Sequence, residues 1–259
     1  MIRHLKLRLL IAATVFTLFL LLVDLPAVRA SVTSSVVGGT LTVSSDADDP
    51  ITITCDGGGN VQVNAGQSNP PGGPFACNSI GGIVATGGPG PNLINLTGVT
   101  SATYSALQSV VVDGAAGNDI IRTTFRGDSI VGGEGNDDIE AFGESDTILA
   151  GDGDDTMLGG SGADVIFAGA GNDHVRDDAD AQNDAISGGE GNDSIEGGGG
   201  FANDRIVEIA NVPLLTLGST QMVGLGTDTI TGIEEASLTG GAGANAIDAG
   251  GFTGKTTID

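Results

Sequence analysis

Aspartates recur at a fixed place in a nine-residue unit along residues 114–207, and aspartate carboxylates are preferred ligands of hard metal ions. The units are 114–122, 123–131, 132–140, 141–149, 150–158, 159–167, 168–176, 179–187, 188–196 and 199–207. All ten carry aspartate at the sixth position: Asp119, Asp128, Asp137, Asp146, Asp155, Asp164, Asp173, Asp184, Asp193 and Asp204. If alternate units stack like neighbouring strands, their carboxylates repel by about 3–4 kcal/mol at ~4.8 Å and an effective dielectric of ~20. The pattern therefore predicts cation binding.

The rest of each unit predicts the backbone that positions these carboxylates. The glycine-rich half can adopt positive φ and turn tightly. The eighth position is always apolar: Ile121, Ile130, Ile139, Ile148, Met157, Ile166, Val175, Ile186, Ile195 and Ile206. With a side-chain period of two, this residue points inward at the centre of a three-residue strand. A turn and a strand, repeated, predict a flattened coil.

Three units fit the pattern Gly-Gly-x-Gly-x-Asp-x-U-x without exception, where U is a large aliphatic residue: 132–140, 159–167 and 188–196. The array resembles the RTX, or hemolysin-type, calcium-binding nonapeptide repeats over about 95 residues. The resemblance implies an all-β fold, a right-handed parallel β-roll or β-solenoid of stacked nonapeptide repeats. It also implies Ca²⁺ ions between successive turns, held by the aspartates and by turn carbonyls of both.

Two units make one coil in this family, so alternate units face opposite edges. The first edge takes the turns 114–119, 132–137, 150–155, 168–173 and 188–193, which all have glycine at the fourth position. The second edge takes the other turns, of which only 159–164 has the full glycine pattern. The expected metal-binding residues are Asp119, Asp137, Asp155, Asp173, Asp193, Asp164, Gly117, Gly133, Gly135, Gly151, Gly153, Gly169, Gly171, Gly189 and Gly191. We expect about four Ca²⁺ ions on the first edge, one in each gap, and few or none on the second.

The first 30 residues have the features of a secretory signal peptide. Arg3, Lys6 and Arg8 precede an apolar run, and Val28-Arg29-Ala30 fits a cleavage site before Ser31. The apolar run is shorter than the ~20 residues of a typical membrane-spanning helix. We therefore expect a secreted, extracellular protein without a retained transmembrane helix, with an uncleaved signal anchor as the alternative.

The residues on either side of the repeats show a similar but weaker sequence pattern. Residues 31–113 alternate like strands and predict a β-solenoid-like region, and in an exported chain Cys55 and Cys77 predict a disulfide. Residues 208–259 resemble a β segment that often follows RTX arrays. This segment ends on a predicted strand, so two interpretations stay open: a truncated chain, or a strand that pairs with another chain.

Composition narrows the possible classes of function. A formal net charge of −24 argues against nucleic-acid binding. The chain has only two histidines, His4 and His174, and offers no convincing Ser-His-Asp set, so we expect no enzyme. The first hypothesis is an exported, non-catalytic calcium-binding module whose partners are the cell envelope, matrix polysaccharide or copies of itself. The alternative is an accessory module or fragment of a larger secreted RTX enzyme of the protease, lipase or polysaccharide epimerase type.

Overall fold

The computed structural model describes residues 31–177, 181–198, 204–210, 215–218, 221–223, 227–240 and 247–258. The predicted signal peptide, residues 1–30, and its cleavage site lie outside these residues. All the predicted metal-binding residues lie within them.

Nearly all regular structure in the described residues is β-strand. The strands are β1 (Val32–Val37), β2 (Thr40–Ser45), β3 (Ile51–Cys55), β4 (Val61–Val63), β5 (Gly82–Thr86), β6 (Leu93–Asn95), β7 (Ser109–Ala116), β8 (Ile120–Arg122), β9 (Asp128–Glu134), β10 (Asp138–Glu140), β11 (Thr147–Asp152) and β12 (Thr156–Leu158). They continue with β13 (Val165–Ala170), β14 (His174–Arg176), β15 (Ala185–Glu190), β16 (Ser194–Glu196), β17 (Arg205–Ala210), β18 (Leu215–Gly218), β19 (Gln221–Val223), β20 (Thr227–Thr231), β21 (Glu235–Gly240), β22 (Ile247–Gly251) and β23 (Lys255–Ile258). Short 3₁₀ turns lie at Asn64–Gly66 and Cys77–Ser79.

The strands form two sheets. Sheet one has the order β1-β2-β5-β7-β9-β11-β13-β15-β17-β21-β23, and sheet two has the order β22-β18-β19-β20-β16-β14-β12-β10-β8-β6-β3-β4. Within the repeats the chain alternates between the sheets and every pairing is parallel, as with β10 between β8 and β12. The predicted all-β parallel roll is therefore confirmed.

The register of the sheets matches the repeat. Ile139 pairs with Ile121 on one side and with Met157 on the other, so equivalent positions of alternate units lie side by side. All ten eighth-position side chains are buried, as the period of two predicts. They form one row of apolar side chains along each sheet, and the two rows pack together as the narrow core between the sheets.

Before the repeats, residues 31–113 occupy the same two sheets. Ile94 pairs in parallel with Ile121, so β6 stacks directly on the first repeat strand. The outermost pairs are antiparallel instead: β1 with β2 in sheet one, and β4 with β3 in sheet two. These hairpins close the N-terminal end of the roll.

The predicted disulfide joins Cys55 to Cys77. It closes the segment that contains β4 and the first 3₁₀ turn, where regular strand pairing is sparse. No helix in the described ranges has the length and apolar character needed to span a membrane.

Candidate metal centre

The sixth-position aspartates lie where the chain enters each strand from a turn. On the first edge, for example, the chain leaves β9, turns through residues 135–137 and enters β10 at Asp138. Register then places Asp137 beside Asp119 and Asp155. The same geometry repeats on the second edge with Asp128, Asp146, Asp164, Asp184 and Asp204.

Hydrogen bonds join the first-edge aspartates into a continuous ladder. The Asp137 N–H donates to Asp155 Oδ1 at 2.7 Å, and the Asp155 N–H donates to Asp173 Oδ1 at 2.8 Å. The ladder begins at Asp119, whose N–H donates to Asp137, and continues from Asp173 to Asp193. One oxygen of each carboxylate from Asp137 onward is therefore held by the backbone of the preceding turn.

The other oxygen of each first-edge carboxylate has no hydrogen-bond partner. This holds for Oδ2 of Asp119, Asp137, Asp155, Asp173 and Asp193, and all five residues are at most 2% exposed. An ionised carboxylate buried without a partner is costly, so these atoms need a counter-charge.

Burial disfavours the ionised form of these carboxylates. It raises the pKa of Asp119 and of Asp155 to about 7, and that of Asp173 to about 6, with neighbouring aspartates adding to the shift in each case. A cation in the gaps would relieve both effects, because it favours the ionised form.

The predicted glycines shape the gaps between turns. Gly117, Gly133, Gly135, Gly151, Gly153, Gly169, Gly171, Gly189 and Gly191 all have positive φ. A Cβ on Gly153 would collide with the backbone oxygen of Gly135, and a Cβ on Gly151 would collide with that of Gly133. Carbonyl oxygens of each turn therefore lie against the α-carbons of the next.

The donor set fits calcium. Ca²⁺ takes six to eight oxygen ligands from carboxylates and carbonyls, and each first-edge gap brings both kinds together. The aspartates would supply the charge through Oδ2, and the turn carbonyls would supply neutral oxygens. Soft metals are a poor match, since the described residues place neither thiol nor imidazole in the gaps.

The second edge differs from the first at its first turn. Both carboxylate oxygens of Asp128 accept hydrogen bonds from Thr124, one of them from the Thr124 N–H at 2.9 Å. Threonine stands there at the second position, where the first-edge turns carry mainly glycine. Both carboxylate oxygens of Asp128 therefore have hydrogen-bond partners within the same turn.

The next second-edge turn, 141–146, adopts positive φ at its second and fourth positions without glycine at either. Phe142 and Glu144 have φ of 76° and 60°, and Cβ atoms on Gly160 and Gly162 would collide with their backbone oxygens. Asp146 Oδ2 is buried without a partner, and burial raises the pKa of Asp146 to about 9. The second edge therefore offers a closely stacked gap between turns 141–146 and 159–164.

A three-carboxylate cluster also lies on the second edge. Asp164, Asp177 and Asp184 are buried and place their ligand atoms within 4.8 Å of one another. Asp164 is a predicted ligand, whereas Asp177 belongs to the insertion between repeats and was not predicted. Asp177 Oδ1 accepts the Gly160 N–H at 3.1 Å, which turns this side chain toward the preceding turn. The cluster is compatible with a metal ion.

Two features of the first edge were missed in the sequence. The fifth positions form an outer ladder of Asn118, Asn136, Asp154, Asn172 and Asn192, in which each side-chain oxygen accepts the N–H of the next. Its signal was present, because every first-edge unit has Asn or Asp at this position. In addition, Asp228 extends the inner ladder by accepting the Asp193 N–H at 3.2 Å.

Stacked glycine turns that carry a buried column of carboxylates define a calcium-binding β-roll. Residues 113–141, 140–175 and 178–201 match the family described as RTX calcium-binding nonapeptide repeat (4 copies). These residues carry that repeat, and the repeats imply a calcium-binding β-roll module. No curated protein and no solved structure matches the chain.

Proposed function

We propose that this protein is an exported, non-catalytic calcium-binding module that folds on Ca²⁺ and acts outside the cell. The observation that carries the proposal is the buried row of aspartate Oδ2 atoms on the first edge, which belong to carboxylates and have no hydrogen-bond partner. Export is supported by the features of residues 1–30 and by the disulfide between Cys55 and Cys77, since disulfides persist in oxidising compartments.

About four Ca²⁺ ions on the first edge follow from its five stacked turns, one ion in each gap. The envelope, matrix polysaccharide and further copies of the chain are the candidate partners. The alternative, an accessory module or fragment of a larger secreted enzyme, differs in expecting a catalytic domain encoded alongside this chain.

Calcium counting with paired variants tests the proposal. We expect equilibrium dialysis to show several ions on the wild-type protein and at least one fewer on Asp137→Asn, whose Oδ2 has no other partner. Asp128→Asn is the matched control, because Thr124 already satisfies its carboxylate. We expect this control to bind as many ions as wild type.

Two results would count against the proposal. Absence of bound calcium on the wild-type protein at 10⁻² M, above the ~10⁻⁴–10⁻³ M range of extracellular modules, would remove the calcium function altogether. Equal losses from Asp137→Asn and Asp128→Asn would remove the assignment of ions to the first edge.

A further inference from the structure

The outward side chains of sheet one lie in two outer rows that run across its strands, because each strand alternates between the core and the surface. In the three central strands, β9, β11 and β13, the first outer row consists of Ser129, Thr147 and Val165. The second outer row consists of Val131, Leu149 and Phe167. These two rows form the outer face of sheet one.

This face carries almost no charge. From β2 to β15, strands that the structure describes throughout, the two outer rows contain Thr, Ser, Val, Ala, Leu and Phe and one charged residue, Asp113. The Asp113 carboxylate accepts the Ala115 N–H at 3.0 Å and is partly buried. The face is therefore nearly neutral in a chain whose formal net charge is −24.

Other surfaces of the roll are charged. The outward residues of the repeat strands in sheet two include Arg122, Asp138, Glu140, His174, Arg176 and Glu196. The first edge exposes further carboxylates at the ends of sheet-one strands, such as Glu134 and Asp152. Like charges that face each other oppose association, so two copies of the chain meet at the lowest electrostatic cost through the outer face of sheet one.

The same face exposes large apolar side chains. Val131, Leu149 and Phe167 are 37%, 43% and 44% exposed, and they lie side by side on neighbouring strands. This second outer row forms an apolar ridge. The shorter side chains of Ser129 and Thr147 lie next to it and form a hollow. Covering the ridge would remove apolar surface from water, which favours association.

A two-fold axis parallel to the direction in which the strands stack makes this face complementary to itself. The rotation reverses the strand direction, so it places the ridge of each copy over the hollow of the other, with Leu149 opposite Thr147. Seven strands at ~4.8 Å and six residues at ~3.3 Å give the face an area of about 700 Å² per copy. Stable interfaces bury roughly 600–1,000 Å² per partner, so the face is large enough for a dimer.

We propose that the outer face of sheet one is a homodimer interface, through which the calcium-loaded roll pairs with a second copy about this two-fold axis. The proposal rests on the proposed function, since the central strands of the face belong to the repeats that fold on Ca²⁺. It selects a second copy among the candidate partners, because neutrality and self-complementary shape are what two identical acidic chains need in order to associate.

Sedimentation equilibrium of the purified protein in saturating calcium tests the interface. We expect wild type to show a monomer–dimer equilibrium at about micromolar concentration, the weak end for an interface of this size. Leu149→Glu should raise the dimer dissociation constant about tenfold or more, because an unpaired charge would be desolvated. Ile120→Glu is the matched control, since Ile120 is also 43% exposed and lies on the outer face of sheet two; its constant should stay within about twofold of wild type.

Calcium counting and circular dichroism in calcium separate a lost interface from a lost fold. Leu149 and Ile120 are exposed in the single chain, so both variants should bind the wild-type number of ions and keep the wild-type β-signal. If Leu149→Glu loses ions or β-signal, Thr147→Glu takes its place, because Thr147 is an exposed residue of the first outer row in the same strand. It should raise the dissociation constant in the same way.

The remaining outcomes also decide. A wild-type protein that binds calcium and stays monomeric up to ~10⁻⁴ M, well above the micromolar range, overturns the interface and leaves the proposed function standing. A dimer that Leu149→Glu does not weaken, or that Ile120→Glu weakens equally, uses another surface and also overturns it. If wild type binds no calcium, the proposed function fails, and a dimer that Leu149→Glu alone still weakens would leave the interface standing.

Discussion

Replacing Gly153 with alanine is expected to destabilise the calcium-loaded protein by roughly 3 kcal/mol or more. Gly153 has a φ of 142°, which L-amino acids with a Cβ rarely adopt. The added Cβ would also collide with the backbone oxygen of Gly135 in the preceding turn. Because two backbones rather than a flexible side chain must move apart, the change should disrupt the gap in which an ion is expected.

Urea unfolding in saturating calcium measures this effect, and Gly143→Ala is the matched control. The nearest atom to a Cβ on Gly143 is the rotatable hydroxyl of Ser161, at 3.2 Å, and its φ is not positive. Gly143 is also buried, but its one tight neighbour is a side-chain hydroxyl that can rotate away, so we expect a loss below about 1 kcal/mol for the control. Equal stability of the two variants would contradict the close stacking of turns on the first edge.

Lowering the pH should restore structure to the calcium-free protein. Burial raises the pKa of Asp119 and Asp155 to about 7 and that of Asp173 to about 6, whereas an unfolded aspartate titrates near ~3.9. Between these values the folded state binds more protons than the unfolded state. Stability without calcium is therefore fully present below pH ~4 and is lost as pH rises through about 6 to 7.

The measurement is far-ultraviolet circular dichroism in chelator from pH 8 to pH 5, where we expect the β-signal to rise as pH falls. Asp155→Asn should flatten this dependence, because one raised carboxyl is gone. Asp154→Asn should change it much less, since Asp154 is exposed, hydrogen bonds from Asn172 lower its own pKa, and its charge is the last-ranked cause of the raised pKa of Asp155 and Asp173. In saturating calcium the trend should reverse, because protons compete with the ion for the carboxylates. A β-signal in chelator that falls toward pH 5 would contradict the buried, uncompensated column.

The repeat made the centre of the molecule predictable. Because the repeat period is strict, the register that places Asp137 in the ladder also places Ile139 in the core. Assigning these two positions correctly in one unit therefore assigned them in the other units. Ile94 lies three repeat lengths before Ile121, yet the two residues pair in one sheet, so the coil between them is one unit longer than a regular coil of two units.

Prediction became harder where the period breaks. Residues 227–230 have the sequence Thr-Asp-Thr-Ile, as in a repeat, but the residues before them break the nine-residue spacing. Asp228 was therefore not predicted as a member of the ladder. Asp177 was read as part of an insertion, although its carboxylate turns back to Gly160.

Local hydrogen bonding was a second feature that the repeat pattern could not predict. Asp128 follows the repeat pattern, yet Thr124 satisfies both of its oxygens, and only coordinates show that contact. Pattern alone gives the position of a carboxylate and leaves its partner undetermined. The antiparallel hairpins at the N-terminal end are likewise a consequence of packing at the end of the sheets, where no further repeat is available to pair.

The central claim is that calcium supplies the charge that lets the carboxylate column close. Far-ultraviolet circular dichroism of the purified protein at neutral pH, titrated with Ca²⁺ from chelator, tests it most directly. We predict little β-structure in chelator and a cooperative gain of β-signal near ~10⁻⁴–10⁻³ M Ca²⁺. A full β-spectrum in chelator that does not change when calcium is added would contradict it.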